Sequence, residues 1–163
     1  MRPYNILFLC TGNSARSIMA EAIVTTLSNG RFIGYSAGSH PTGVVNPFAV
    51  EVVRAIGYPL DKLRSKSWDE FARPDAPPMD FIITVCDNAA GEVCPVWPGK
   101  PVTAHWGFPD PAAVTGADEQ KRQAFTNASH GIRNRLNFLL ALAPEKLDAM
   151  SIQAIGQTPY RSE

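Results

Sequence analysis

An apolar run, Ile6-Leu7-Phe8-Leu9, ends in a cysteine, and a loop of small and polar residues then carries the chain to an arginine six positions on. A helix-like pattern starts straight after it. The stretch Cys10-Thr11-Gly12-Asn13-Ser14-Ala15-Arg16-Ser17 is therefore a C-x5-R-S loop set between a buried strand and a helix. Such a loop turns several backbone N–H groups inward. The helix N-terminus adds a partial positive charge, so an anion is favoured there. Gly12 and Asn13 are residue types that tolerate the dihedrals this kind of nest requires. Arg16 supplies a planar fork that grips two oxygens of a tetrahedral oxyanion. The same field favours a thiolate at position 10, and Ser14 and Ser17 are placed to donate to the sulfur. A thiolate beside a bound oxyanion points to nucleophilic attack and a covalent adduct. The bland alternative is a strand-end cysteine beside an unrelated arginine, and C-x5-R alone is a loose pattern. The strand before it, the glycine inside it, and the serine and helix after it favour the chemical reading.

The rest of the chain supplies a frame for that loop. Tyr4 to Leu9 reads as a strand and Ser17 to Ser28 as a helix; Arg31 to Ala37 is a second strand. Asn46-Pro47 reads as an N-cap and first helical position, followed by a helix that Gly57 ends. Ser67-Trp68-Asp69-Glu70 fits a capping box on a short helix. Phe81 to Val85 is a third strand, apolar enough for burial on both faces, and Val102 to Trp106 a fourth. Asp118 to Leu142 reads as a long helix with Phe125, Ala128, Ile132, Leu136 and Leu139 on one stripe, and Glu145 to Ile155 as a last helix. Residues 158–163 are expected to fray. Strands alternating with helices imply an α/β three-layer sandwich, a four-stranded parallel sheet flanked by helices, in one domain spanning 1–163. Ligands of such sheets sit beyond the carboxyl ends of the strands. The segments that follow those ends carry Cys10, Cys86 and His105 to Pro111.

Charge narrows the function classes. Fifteen basic and fifteen acidic residues cancel, which leaves no electrostatic footprint for nucleic acid or an anionic membrane, so attraction for anions must be local. Hydrophobic residues make up 45% and charged residues 18%, a globular balance without an 18-residue apolar run. The first strand begins within a few residues of Met1, which leaves no room for a signal peptide, so a cytoplasmic location with reduced thiols is expected.

These residues resemble a known family. Cys10 to Ser17 resembles the phosphate loop of low-molecular-weight protein tyrosine phosphatases, and Asp110-Pro111 their general acid. More specifically, the chain resembles the arsenate reductases built on that fold. The resemblance is carried by the loop, by Tyr35-Ser36-Ala37-Gly38, Thr84-Val85-Cys86-Asp87, Cys94-Pro95, and His105-Trp106-Gly107-Phe108-Pro109-Asp110-Pro111. It implies reduction of arsenate to arsenite, with possible residual phosphatase activity. Cys10 matches the nucleophile, Arg16 the clamp and Asp110 the acid. Cys86 and Cys94 match a redox pair that takes over the disulfide. The resemblance implies no tightly bound organic cofactor and an external thiol donor such as thioredoxin, or glutathione with glutaredoxin. Asn13, Glu21, Ser36 and Asp69 lie where some relatives hold a potassium ion. Two departures stand out. Ala15 replaces a cysteine that some relatives carry in the loop. Ala112 and Ala113 replace the aromatic residues that phosphatases place after Asp-Pro, which argues against a phosphotyrosine-protein substrate.

Read by themselves, the other two cysteines leave alternatives open. Arsenate must gain two electrons, and two thiols closing one disulfide supply them, whereas a phosphatase needs only the first thiol. Asp87 to Val93 is small and polar with one glycine, which suits the movement that disulfide exchange demands. Cys86 also fits a small buried strand-end residue. Zinc held by Cys86, Cys94 and His105 is a rival, although C-x7-C lacks the usual short spacing. Asp110 between prolines reads as a general acid or as an ordinary turn residue. His105 and Trp106 read as site lining or as strand-end packing. An anion-sensing module is a further class.

Overall fold

The computed structural model describes residues 2–86 and 97–157. Strands β1 (Tyr4–Cys10), β2 (Phe32–Gly38), β3 (Phe81–Thr84) and β4 (Val102–His105) form one parallel sheet in the order β2-β1-β3-β4. The central position of β1 explains its unbroken apolar run, because a strand with neighbours on both sides and layers above and below has no wet face. Cys10 pairs in register with Gly38, and Leu9 with both Ala37 and Thr84, so three strand ends meet around the sulfur.

Side chains alternate between the two faces. Ile6, Phe8, Phe81 and Ile83 share a core with Met19 and Ile23 of α1 (Arg16–Leu27), with the stripe of α3 (Asp118–Ala141), and with Ile152 and Ile155 of α4 (Ala149–Gly156). That stripe is the expected one: Phe125, Ala128, Ile132, Leu136 and Leu139 are all buried. Leu7, Leu9, Ala37 and Ile82 face the other way, onto Trp68, Phe71 and Met79. Trp68 belongs to a 3-10 helix, Trp68–Phe71, and meets Trp97 edge-on at 6.3 Å. Truncating a ring such as Phe8 or Phe125 in the larger core costs about 3–5 kcal/mol.

Local signals explain several boundaries. Asn46 caps α2 (Pro47–Ile56), its side-chain oxygen accepting from Phe48 N, and Gly57 closes that helix in the left-handed region at φ 85°. The capping box expected at Ser67 forms only by half. Ser67 Oγ accepts from Asp69 N at 3.1 Å, while the Glu70 carboxylate turns away to a two-pronged pair with Arg64. The last expected helix is also broken. Pro144–Lys146 is a 3-10 turn, and a new helix starts only where Asp148 accepts from Ser151 N at 2.7 Å. Among the described residues no helix is long and apolar enough to cross a membrane.

Candidate active site

The loop after β1 gets its shape from where its carbonyl groups go. Thr11 O accepts from His40 N at 2.9 Å, Gly12 O from Thr42 N at 3.0 Å and Ser14 O from Asn46 N at 2.9 Å. Ser65 Oγ also donates to Gly12 O at 3.0 Å. With these carbonyls directed outward, the N–H groups on the opposite sides of the same peptide planes turn inward. Asn13 shows the result. Its backbone sits at φ 47°, in the left-handed region asparagine tolerates, and its N–H donates to Cys10 Sγ at 3.2 Å. The sequence offered Gly12 for the same purpose, but Gly12 does not enter the left-handed region. Gly38, register partner of Cys10, is needed for space: a Cβ there would press on Thr11 O and on Asn13.

Cys10 is 5% exposed and its sulfur lies 2.9 Å from Ser17 Oγ. Ser17 Oγ accepts from Asn13 Nδ2 at 2.8 Å, which leaves its own hydrogen for the sulfur. Two donors thus converge on one sulfur at the start of α1. Arg16, the first residue of α1, reaches across the strand ends. Its Nη1 donates to Phe108 O at 2.8 Å and its Nη2 lies 3.9 Å from Asp110 Oδ2. Asp110 is 45% exposed at its side chain and precedes a 3-10 turn, Pro111–Ala113, accepting from Ala112 N at 3.0 Å. Cap, carboxylate and guanidinium therefore stand at one mouth.

Cys86 follows β3 and is buried; its Sγ lies 3.7 Å from Thr11 Oγ1, at the rim of the same loop. Cys10 and Cys86 are free thiols. Cys94 lies outside the described residues. His105 and Trp106 are committed to packing. The His105 ring meets Thr84 Oγ1 at 2.7 Å, and the Trp106 indole donates to Ile152 O at 2.8 Å. Among the described residues no three His, Cys, Asp or Glu side chains form a metal-holding group.

Of the four residues matched to a potassium site, Glu21 and Ser36 touch below the loop, and Asn13 is linked to them through Lys66. Glu21 accepts from Ser36 Oγ at 2.6 Å and from Tyr58 OH at 2.7 Å, and Asn13 Oδ1 accepts from Lys66 N at 2.9 Å. Asp69 stays in the capped turn, where its N–H meets Ser67 Oγ. Burial, then the Glu21 charge, push the Tyr58 phenol far above its ordinary pKa, so it stays a donor. The sequence singled out neither Tyr58 nor Lys66. It also passed over Arg135 of α3, which donates to Gly107 O at 2.7 Å and lies over the Phe108 ring at 4.7 Å.

The profile of the low molecular weight phosphotyrosine protein phosphatases matches residues 5–150. The chain belongs to this family. Among the phosphatase-like relatives, an arsenate reductase of Halalkalibacterium halodurans is 39% identical over 131 residues, 80% of this chain and 91% of its own length. An arsenate reductase of Bacillus subtilis is 37% identical over the same shares. A solved structure of an arsenate reductase in the phosphate binding state superposes with a TM-score of 0.66 at 25% identity, covering 85% of this chain and 97% of that one. The family fold thus spans the loop, the strand end that carries Cys86 and the acid segment.

Proposed function

We propose that this chain reduces arsenate to arsenite, with Cys10 as nucleophile and Cys86 as the first electron-supplying partner. The observation that carries the reading is the second buried thiol at the rim of the anion loop, 3.7 Å from Thr11 Oγ1. Hydrolysis of a phosphate ester has no use for it. The named relatives support the same reading.

The chemistry follows from the geometry. Arsenate enters the loop, with the inward N–H groups and Arg16 holding its oxygens. Cys10 Sγ attacks arsenic, a sulfur–arsenic bond forms, and one oxygen leaves as water with a proton from Asp110. Cys86 then attacks Cys10 Sγ. The sulfur–sulfur bond forms as the sulfur–arsenic bond breaks, and the electron pair stays on arsenic, which departs as arsenite. Cys94 attacks Cys86 in turn, freeing Cys10 and leaving a Cys86–Cys94 disulfide. An external dithiol, of the thioredoxin or glutathione–glutaredoxin kind, takes that disulfide back to thiols. This cycle belongs in a reducing compartment such as the cytoplasm. The electrons come from sulfur, so no bound organic cofactor is required.

Mass spectrometry of cysteine pairing after a single arsenate turnover tests the scheme. A Cys86–Cys94 bridge with Cys10 free is expected. The Cys94→Ser variant should release one arsenite per chain and stop as a Cys10–Cys86 disulfide; undiminished multiple turnover would exclude the relay. Phosphomonoester hydrolysis is the second reading, favoured by the Arg16–Asp110 pair at 3.9 Å, which serves that reaction without any further thiol. Strong aryl phosphate hydrolysis with no thiol-dependent loss of arsenate would select it.

A further inference from the structure

The pocket below the loop does not fit an alkali cation. Such an ion needs an open centre ringed by oxygen atoms, and here the centre holds a side chain. Lys66 Nζ donates to Arg64 O at 2.9 Å and to Ser36 Oγ at 3.4 Å, and lies 3.9 Å from Glu21 Oε1. Lys66 and Glu21 are both more than nine-tenths buried. Ser36 Oγ gives its hydrogen to Glu21, so the lone pair it offers Lys66 calls for a donor, which an ammonium is. Both Glu21 oxygens already accept, one from Ser36 and one from Tyr58.

We propose that the Lys66 ammonium is a built-in cation that holds the anion loop in its binding shape and makes the enzyme independent of potassium. Lys66 is a positioning residue, and its route to the sulfur is a chain of contacts. The ammonium pins Arg64 O, and so fixes the 64–66 segment. From that segment Ser65 Oγ holds Gly12 O, Lys66 N holds Asn13 Oδ1, and Lys66 O receives Gly38 N at 2.9 Å. Asn13 in turn donates to both Ser17 Oγ and Cys10 Sγ. The charge matters as well as the tether. Glu21 alone would put a buried negative charge under a loop that must accept an anion beside a thiolate, and the ammonium neutralises it. Burial lowers the Lys66 pKa below that of an ordinary lysine, while Glu21 acts in the opposite direction.

A cleft of about 430 Å³, lined in part by Tyr35, Tyr58 and Arg64, opens onto Glu21 and Lys66. It gives a small ion a way in once the lysine is shortened. The test is arsenate turnover and the rate of Cys10 alkylation by iodoacetamide at neutral pH, each in potassium, sodium and choline chloride at one ionic strength. Wild-type rates should be equal in all three salts. Lys66→Ala should lose about tenfold in both readouts in choline, an effect of loop misplacement, and regain most of it in potassium. Lys66→Met, which fills the space without charge, should stay low in every salt. If Lys66→Ala does not fold, Lys66→Met and the wild type decide. A potassium-dependent wild type, a fully active Lys66→Met, or a Lys66→Ala whose loss no alkali ion relieves overturns the proposal. The inference rests on arsenate reduction only for the turnover readout. Should the wild type fail to reduce arsenate, Cys10 alkylation still tests Lys66 separately.

Discussion

The loop after β1 and the loop after β4 stand on either side of the same mouth, and they are held in opposite ways. In the first, from Cys10 to Ser17, the backbone is tied to the protein through its own carbonyls, and Asn13 is fully buried. In the second, from Gly107 to Ala113, a single backbone bond to the strand ends, Phe108 N to Val85 O at 3.2 Å, is joined by two long side chains, Arg16 on Phe108 O and Arg135 on Gly107 O, and Asp110 stays half exposed. A group that must receive a fixed tetrahedron needs the first kind of support. One that must pick up and release a proton needs contact with water and some freedom. The difference separates binding from turnover, and single substitutions should fall on one side or the other.

The largest effect on turnover is expected from Asp110→Asn, which leaves shape and removes the proton. Steady-state arsenate reduction should drop about 10²–10⁴-fold, while phosphate still protects Cys10 from alkylation as in the wild type. Equal loss of phosphate protection would erase the distinction between the loops. Gly38→Ala comes next and should act in reverse. The new Cβ meets Thr11 O and Asn13, so phosphate protection and turnover should fall together, by about 10²-fold. Arg135→Met keeps bulk but loses a charged hydrogen bond and the contact with Phe108. It should lower kcat by about tenfold with little change in phosphate protection, and cost about 2 kcal/mol in denaturant unfolding.

The smallest effect lies far from the mouth. Burial raises the pKa of Asp80, but Arg2 and Asn5 N outweigh it and hold the carboxyl below its ordinary value. A depressed carboxyl stabilises the fold above its unfolded pKa, and that contribution disappears as pH falls through the folded value. Arg2→Ala should therefore lower the thermal midpoint by about one degree at neutral pH, with the gap closing in acid. A gap that widened in acid would contradict this sign.

The first loop was far more legible in the sequence than its supports. Its apolar strand, its sulfur and its arginine lie within a dozen consecutive residues, and the spacing carries the geometry. The strands and the Asn46-Pro47 cap were legible for the same local reason. Lys66 and Tyr58 were not, because each meets Glu21 only through the fold. Lys66 sits between serines in a polar stretch that reads as solvated surface. Arg135 lies on a helix where an isolated arginine reads as outward-facing, yet it is buried against Phe108. The Ser67 capping box went half wrong because Arg64, three residues before the cap, competes for Glu70.

The inward-facing amides of the first loop have a cost in discrimination. A cradle of N–H groups responds to charge and tetrahedral outline, which phosphorus and arsenic share, so the pocket fills with whichever anion is more abundant in the cell. Sorting the two elements then falls to the step after capture, because arsenic takes an electron pair from sulfur readily and phosphorus does not. Under the proposed relay, the neighbouring thiol at position 86, rather than the cradle, is where a toxin would be told from a nutrient.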